Sequence, residues 1–383
     1  MLTGCVISAQ AAETSLNPSI EIRGEYDDNI GFSGTERKGD FLIHIRPALS
    51  LDYRNERWSV TGHGAATIIR HQEEIGNDSE QQDYGLRCLY DASERVRLEG
   101  HLEFLTDEAL ESELHETGLL TVRTRRRRLG GGAGLGLKIS ERTDLGLHLE
   151  GGKTLYRDPG LTGYDTYSFF MVVNRSFLNQ RGGLTVKTGY SGYRSRASKM
   201  DDYGLYFGLS RSLTETWRLN CSLGLRRSMI DYQRLRIDSA GDALASPFRI
   251  VTERDSTWWG MADFFLTKKG STYSAAMGFN REQGYSSRGE PIEQNRFYVN
   301  GMRRLSPRFT INLSGTVYRT RSKGGFSEVN ARHLGLGASM EYRFSRRRSL
   351  MAGYDYDRHR EETLSNGQVR ERNRVWISLI CSF

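Results

Sequence analysis

The stretch that decides the fold reads Val96-Arg97-Leu98-Glu99-Gly100-His101-Leu102-Glu103-Phe104, where charged or polar residues take every second position. Successive side chains of a β-strand point to opposite faces, so such a strand has one apolar and one charged face. In a soluble sandwich the charged face would meet bulk water, whereas in an outer-membrane barrel it lines a wet interior. The alternation recurs about eighteen times without a long helix between, which favours the barrel. We therefore predict an all-β fold, a transmembrane antiparallel up-and-down β-barrel of about 18 strands, or 16 if a weak strand is miscounted.

The composition agrees with a barrel. Only 37% of the 383 residues are hydrophobic, the mean hydropathy is −0.58, and no run approaches the roughly 18 to 20 apolar residues of a membrane helix. No linker divides the chain, so residues 12–383 are predicted to be a single barrel domain. Residues 1–11, with the cleavage pattern Ala9-Gln10-Ala11, are interpreted as the remnant of a signal peptide. Leu2-Thr3-Gly4-Cys5 also resembles a lipoprotein lipobox.

Short turn signals alternate with longer polar segments. The turns are 54–56, 92–94, 140–142, 178–180, 214–216, 268–270, 306–308 and 346–348, and the loops lie near 30–39, 71–81, 106–124, 157–164, 195–201, 233–254, 285–294, 321–330 and 361–370. Tight periplasmic turns and long outer loops are typical of bacterial barrels, with both termini in the periplasm. Two predicted strands, Tyr167–Val173 and Trp258–Leu266, are apolar on both faces, so their register is open.

The net charge is +7 and the isoelectric point is about 9.2, and alternation places many cations on the inner face. Positive rings inside a confined pore favour anions. Other arginines are expected in outer loops, where they would bind lipopolysaccharide phosphates. The predicted pore-lining cations are Arg23, Arg46, Arg97, Lys138, Lys187, Arg218, Arg226 and Arg343.

Residues 106–128 form the strongest candidate site, because an acidic run is followed at once by a basic one. Thr106 is predicted to cap a short helix with Leu110 and Leu114 on one face. We interpret the segment as a constriction loop that folds into the lumen, although charge runs are usually solvated and a surface loop fits equally well. The residues concerned are Asp107, Glu108, Glu111, Glu113, Glu116, Arg123, Arg125, Arg126, Arg127 and Arg128.

The sequence motifs for metal binding or catalysis are weak. Asp27, Asp28 and Asn29 lack the spacing of a calcium loop, and no G-x-S-x-G elbow accompanies the inner histidines 44, 63 and 101. The four cysteines, at 5, 88, 221 and 381, are scattered, and we expect those at 88, 221 and 381 to be free and lipid-facing. We expect no enzyme activity, no metal, no cofactor and no nucleic-acid partner.

The opening strand, Pro18–Ile30, and above all Tyr26-Asp27-Asp28-Asn29-Ile30, resembles the start of the beta-barrel porin type two family. This resemblance implies an outer-membrane channel that accompanies exopolysaccharide or capsule systems, with outer-membrane lipid, lipopolysaccharide and periplasmic polysaccharide-export components as partners. The end, Val375–Phe383, resembles the signal read by the barrel-assembly machinery through Phe383, but departs from it at Ser378 and Cys381.

The expected function is passive passage of anionic solutes across the bacterial outer membrane, with export of an anionic exopolysaccharide as the favoured case. One alternative is a general small-solute uptake porin. The other is a plugged structural or adhesive barrel whose outer loops bind surface polymers.

Overall fold

The strands of the chain close into a single ring. A computed structural model describes residues 12–177, 181–196, 198–237, 248–287, 289, 291–322, 330–362 and 368–383. Each strand pairs antiparallel with its neighbours in the chain, and the first pairs with the last, giving a closed 18-stranded sheet. Closure satisfies the backbone N–H and C=O groups without leaving an edge, as a strand surrounded by lipid requires. The predicted all-β barrel of 18 strands is confirmed.

The strands are β1 (Glu13–Asp27), β2 (Asp40–Arg54), β3 (Trp58–His71), β4 (Ser79–Ser93), β5 (Val96–Glu108), β6 (Arg125–Ser140), β7 (Thr143–Tyr156), β8 (Tyr164–Ser176), β9 (Gly182–Ser195), β10 (Ser198–Ser212), β11 (Trp217–Ile237), β12 (Phe248–Lys269), β13 (Tyr273–Tyr285), β14 (Pro291–Arg304), β15 (Phe309–Ser322), β16 (Asn330–Arg343), β17 (Arg348–Glu361) and β18 (Val369–Ser382). The described residues also include a 3-10 turn, Ile75–Asn77, and an α-helix, α1 (Ala109–Thr117). Within the same ranges, no helix is long and apolar enough to cross a membrane.

Large apolar side chains are exposed on one face of the strands all round the ring. Leu98 and Leu102 in β5 and Leu336 and Met340 in β16 are 44%, 61%, 48% and 51% exposed. A protein surrounded by water rarely exposes so continuous an apolar surface, whereas a barrel in lipid does. We call the face that carries these side chains the outer face, and the opposite one the inner face. Cys88, Cys221 and Cys381 lie on the outer face as free thiols.

The connections differ from the prediction at two places. Only two residues separate β9 from β10, so the expected loop 195–201 is a tight turn in which Ser195 Oγ accepts from the Ser198 N–H at 3.0 Å. Of the expected loop 233–254, residues 233–237 and 248–254 belong to β11 and β12, whose ladder runs out to Ile237 and Phe248. The polar sequence at these ends of β11 and β12 predicts a loop, because a strand that extends beyond the lipid needs no apolar face. The predicted segment 1–11, the turn 178–180 and parts of the predicted loops 195–201, 233–254, 285–294, 321–330 and 361–370 lie outside the described residues.

Both strands with an uncertain register are present. Tyr167–Val173 lies in β8 and Trp258–Leu266 in β12. In β8 the extra apolar residues face inward, where the Lys187 ammonium sits 3.8 Å from the centre of the Phe170 ring. An apolar inner face is therefore compatible with a polar lumen when a cation covers it.

Candidate functional site: a helix held across the lumen

Helix α1 follows β5 and ends at Gly118, which adopts the left-handed conformation (φ 68°) that glycine tolerates. Leu110 and Leu114 share a buried face, as expected. The predicted cap at Thr106 is wrong, because the structure puts Glu108 at the N-cap position, where it makes no side-chain cap hydrogen bond. Thr106 instead lies within β5, since the strand continues through the first three residues of the expected loop 106–124 and ends at Glu108.

The helix touches opposite walls of the barrel. On one side Arg126 of β6 pairs with Glu116 of the helix. On the other, Tyr318 and Thr320 of β15 donate hydrogen bonds to the carbonyls of His115 and Thr117. β6 and β15 lie nine strands apart in either direction round the ring. All three wall side chains belong to inner faces, so α1 crosses the lumen at the end of the barrel that carries the longer connections.

Arg126 is the first of two buried arginine anchors. Its Nε and Nη2 donate hydrogen bonds to Asp107 Oδ1 and Oδ2, at 2.9 Å and 2.7 Å. Its Nη1 donates to Glu116 Oε2 at 2.8 Å. Arg128 adds a further contact to Glu116 at 3.1 Å. The Tyr156 hydroxyl donates to Glu113 Oε1 at 2.6 Å. The planar guanidinium pairs with two carboxylates through paired N–H groups, which gives a geometrically specific contact.

Arg372 of β18 is the second anchor, and its side chain is fully buried. Both terminal nitrogens bond Glu111 of the helix, and Nη2 also bonds Asp357 Oδ2 of β17 at 2.9 Å. Arg374 approaches the same two carboxylates, at 3.6 Å from Glu111 and 3.1 Å from Asp357. The helix is therefore tied to the β17–β18 wall by a network of two guanidinium groups and two carboxylates.

The helix carboxylates respond differently to this environment. Burial alone would raise the pKa of Glu111, but the charges of Arg372 and Arg374 outweigh burial and hold that pKa well below its usual range. At Glu116 burial is likewise outweighed, here by the hydrogen bonds and charge of Arg126, and the pKa is lowered. At Glu113 burial prevails over the Tyr156 hydrogen bond and raises the pKa. Glu111 and Glu116 therefore act as the ionised anchors.

The far wall caps the end of the helix. The last carbonyls of an α-helix have no partner within it. Here Thr320 Oγ1 donates to the Thr117 carbonyl at 2.5 Å, Gln294 Nε2 donates to the Glu116 carbonyl at 2.7 Å, and the Tyr318 hydroxyl donates to the His115 carbonyl. Three strand residues thus supply the partners that α1 lacks.

The connection between β1 and β2 also folds inward. The ring of Phe32 is 1% exposed and lies 4.9 Å from the Arg372 guanidinium. Phe32 has φ 47°, a left-handed conformation that costs about 1–3 kcal/mol for such a residue and needs surrounding contacts to hold it. Arg123, which pairs with Glu108 at 3.0 Å, donates to the Ile30 carbonyl at 2.6 Å and joins this connection to the one carrying α1.

The Asp27-Asp28-Asn29 segment anchors that connection. Asn29 Nδ2 donates to the Glu371 carbonyl at 2.8 Å, Asp28 accepts from the N–H and side chain of Asn373, and Asp27 lies 3.8 Å from Arg372. Across the described residues, no cluster of three or more His, Cys, Asp or Glu side chains suits a metal ion.

The eight predicted pore-lining cations all lie on the inner face by register. Five of them have carboxylate partners, which the sequence analysis did not identify: Arg23 with Glu25, Arg46 with Asp83 at 3.9 Å, Arg97 with Asp91 at 2.6 Å, Arg226 with Asp202 at 3.7 Å, and Arg343 with Glu341 at 2.9 Å. For Lys138, Lys187 and Arg218 the described part of the chain provides no such partner within 4.0 Å. The wall therefore carries both signs of charge.

The predicted constriction residues do not all face the lumen. Asp107, the next to last residue of β5, lies on the inner face, as do Arg126 and Arg128 near the start of β6. Arg125 and Arg127 alternate with them and share the outer face with Leu129, which is 55% exposed. The period of two along a strand explains why a run of four arginines is divided between the faces.

A groove of about 550 Å³ runs along the inner wall of β12–β18, and the sequence analysis did not predict it. Phe265 stands at one end and Trp376 at the other. Trp376 lies flat against its cross-strand partner Gly353, where a Cβ would come within 2.4 Å of the ring, and the Arg23 guanidinium lies 4.4 Å from the ring centre. Most of the polar side chains between the two rings are neutral hydroxyls and amides: Thr267, Ser274, Asn300, Asn312, Ser314 and Ser339. The lining also contains one cation, Lys269, and one carboxylate, Asp355, which accepts a hydrogen bond from Trp376 Nε1 at 2.8 Å.

Comparison with known proteins supports this architecture. The ferric citrate transporter FecA in the unliganded form is 8% identical, with a TM-score of 0.50 over 96% of this chain and 78% of that chain. Pseudomonas aeruginosa OccK2 (OpdF) is 12% identical, with a TM-score of 0.47 over 96% and 98%. Pseudomonas aeruginosa OpdK with vanillate is 9% identical, with a TM-score of 0.48 over 96% and 99%. At 8% identity, the likeness to FecA concerns the fold alone. Comparison with curated proteins yields no match.

A family model matches the N-terminal part of the chain, and its description is "Putative beta-barrel porin 2". The match includes the Tyr26–Ile30 segment that carried the resemblance. Together with the closed barrel, it points to a location in the bacterial outer membrane and to a channel rather than an enzyme. The resemblance is thereby confirmed: over residues 14–168 this chain matches the beta-barrel porin 2 family.

Proposed function

We propose that the protein is a passive channel for anionic solutes and that its main solute is an anionic exopolysaccharide leaving the cell. The observation that carries this proposal is the wall groove between Phe265 and Trp376. Most of its polar groups are hydroxyls and amides, which match the donors and acceptors of sugar hydroxyls. At its end the Arg23 guanidinium lies beside the Trp376 ring. Arg23 also pairs with Glu25, and its other N–H groups are the donors for a carboxylate or phosphate on the sugar.

The rings contribute a second kind of contact. The face of an aromatic ring carries partial negative charge and attracts the polarised C–H groups of a sugar. Tyr298, like Trp376, lies flat over a glycine of the next strand, since a Cβ at Gly278 would come within 2.3 Å of its ring. Weak contacts repeated along a wide wet wall hold a polymer without trapping it, and conduction depends on that balance.

We expect the anion preference to be modest. Carboxylates pair five of the eight cations predicted to line the pore, and of these eight only Lys138, Lys187 and Arg218 remain without one within 4.0 Å among the described residues. Salt screens exposed charges over about 8–10 Å, so the preference should weaken as salt rises. The direction of transport follows from the resemblance to barrels that accompany polysaccharide systems. Periplasmic export components and assembly through Phe383 are part of the same proposal.

A second candidate function is uptake of small anionic solutes. Helix α1 and the inward connection around Phe32 occupy the lumen at the end with the longer connections. A path narrowed in this way admits a small molecule more readily than a polymer. In this case α1 would be a fixed constriction, whereas export requires that it leave the path.

Planar bilayers with a salt gradient distinguish these functions. We expect a reversal potential that shows modest anion preference, and current block by oligogalacturonate but not by a neutral malto-oligosaccharide. Arg23→Gln should weaken the block, and Arg97→Gln, which removes an ion-paired inner cation on β5, across the lumen from the groove, should not. Cation preference, or equal block by both oligosaccharides, would refute the proposal. If neither the wild type nor a variant without α1 conducts, the barrel is structural or adhesive.

A further inference from the structure

The outer face of β13–β17 carries a row of four arginines and one asparagine in direct register, and the channel function does not require it. Direct cross-strand pairing links Arg281 to Asn295, Asn295 to Arg319, Arg319 to Arg332, and Arg332 to Arg360. Strands are spaced about 4.8 Å apart, so the row spans about 19 Å of the outer wall. We call these five residues the arginine row. Arg321 and Arg358 lie one position away on the same face.

The row lies at the boundary of the apolar surface. The next outer-face position on four of its strands is Phe279, Phe297, Val317 and Leu334, again in direct cross-strand register. On β16 the apolar positions continue through Leu336 and Met340 towards the short turns. The row therefore stands where the lipid-facing band ends, on the side of the longer connections, and long connections face outward in bacterial barrels.

Among the described residues the charge at this boundary is positive. Three carboxylates accompany the six arginines there: Glu293 lies 3.0 Å from Arg281, Glu362 lies 3.2 Å from Arg332, and Glu371 lies 3.5 Å from Arg358. The described part of this surface therefore carries more arginines than carboxylates.

We propose that the arginine row binds the headgroup of a phosphorylated acyl glycolipid of the lipid A class in the outer leaflet. Its phosphates would bind the guanidinium groups, which match phosphate oxygens through paired N–H donors. Its acyl chains would lie along Phe279, Phe297, Val317 and Leu334. The combination of phosphate-binding groups directly above an apolar strip fits a lipid rather than a free anion.

The test measures binding of diphosphoryl lipid A to the full-length barrel in detergent by native mass spectrometry. The variant is Arg319→Gln/Arg332→Gln/Arg360→Gln. The matched control is Arg308→Gln/Arg346→Gln/Arg347→Gln, which removes three exposed arginines at the short-turn end of the same strand region. Each arginine near an anionic lipid surface contributes about fivefold in affinity, so the row variant should bind about a hundredfold more weakly. Heat-dependent migration in SDS gels confirms that each variant is folded.

Four results would overturn the proposal. The first is a row variant that retains the wild-type affinity, and the second is a control variant that loses as much affinity as the row variant. The third is wild-type protein that binds phosphatidylglycerol as tightly as diphosphoryl lipid A, which indicates general attraction to anionic lipid. Displacement of lipid A by millimolar inorganic phosphate would show that the headgroup alone is recognised, which also contradicts the proposal. Monophosphoryl lipid A should bind more weakly than the diphosphoryl form.

Discussion

Replacing the two buried arginines that hold α1 tests whether this helix sets the width of the lumen. Arg372→Gln removes the partner of Glu111 and Asp357, and Arg126→Gln removes the partner of Asp107 and Glu116. Removing one member of a buried ion pair costs about 3–5 kcal/mol. Because Arg374 stays 3.6 Å from Glu111, we take the lower end for Arg372→Gln, about 3 kcal/mol.

A loss of about 3 kcal/mol shifts the equilibrium between docked and released helix about a hundredfold. The hydrogen bonds from Tyr318, Thr320 and Gln294 remain in either single variant. We therefore expect brief openings to a larger conductance in each single variant and a mainly enlarged conductance in the double variant. Single-channel recording in planar bilayers measures both the size and the lifetime of the openings.

The matched control is Arg343→Gln, which breaks an inner-face ion pair with Glu341 at 2.9 Å near the short turns. It should leave the conductance at the wild-type level. A double variant that folds into the barrel but shows neither a larger conductance nor a new open level would refute the role of the two arginines.

Two further predictions concern pH and packing. The ionised anchors Glu111 and Glu116 have lowered pKa values when docked, so their contribution is complete above the ordinary carboxyl pKa of 4.5 and is lost as the pH falls below it. The conductance of the wild type should therefore rise on acidification from pH 7 to 3. Glu111→Gln should conduct more than the wild type at pH 7, and its conductance should depend less on pH. A wild-type conductance that stays constant over this range would contradict the prediction. Gly353→Ala should lower barrel stability by about 1–3 kcal/mol, because a Cβ there meets the Trp376 ring at 2.4 Å. Gly136→Ala, whose nearest contact would be 3.7 Å, is the control in urea unfolding, and equal stabilities would rule out the packing argument.

Sequence periodicity was sufficient for the parts of the structure that depend on local pattern. A period of two assigns each residue to a face, so Arg23 and Arg343 were placed on the inner face without knowledge of any contact. The same reasoning failed where strands extend beyond lipid, as at 233–254, because no apolar face is needed there. Phe170 shows the opposite case, because an apolar residue lies on the inner face, where the Lys187 ammonium covers its ring, and alternation alone left the register of this strand open.

The candidate site depends on contacts between distant parts of the chain. Arg372 and Glu111 are 261 residues apart, and no local spacing signals their pairing. The carboxylate partners of the wall cations likewise depend on the register of neighbouring strands, as with Arg226 and Asp202. A usable signal was present nonetheless: Tyr318 and Arg372 take inner positions by alternation, at the end of the barrel where α1 was expected.

The charges of α1 lead to a further prediction. Residues 109–124 contain three glutamates and one arginine, so removing them takes two net negative charges from the lumen. Asp357 and Asp107 would remain beside the wall arginines, but Glu111 and Glu116 would no longer neutralise Arg372 and Arg126. If the helix carried no net charge, its removal would change the conductance but not the ion selectivity. Loss of α1 should change the selectivity as well.

Glu108 and Arg125 are direct cross-strand partners, so a short Gly-Ser linker can replace 109–124 without disturbing the ladder of β5 and β6. We expect this variant to conduct more than the wild type and to show a stronger anion preference in a salt gradient. A second linker of equal length that carries two glutamates should keep the larger conductance and return the selectivity towards the wild-type value. If the plain linker raises conductance with no change in reversal potential, the acidic run acts by steric narrowing alone, and a shift towards cations would contradict the assignment of Arg126 and Arg372 to the lumen wall.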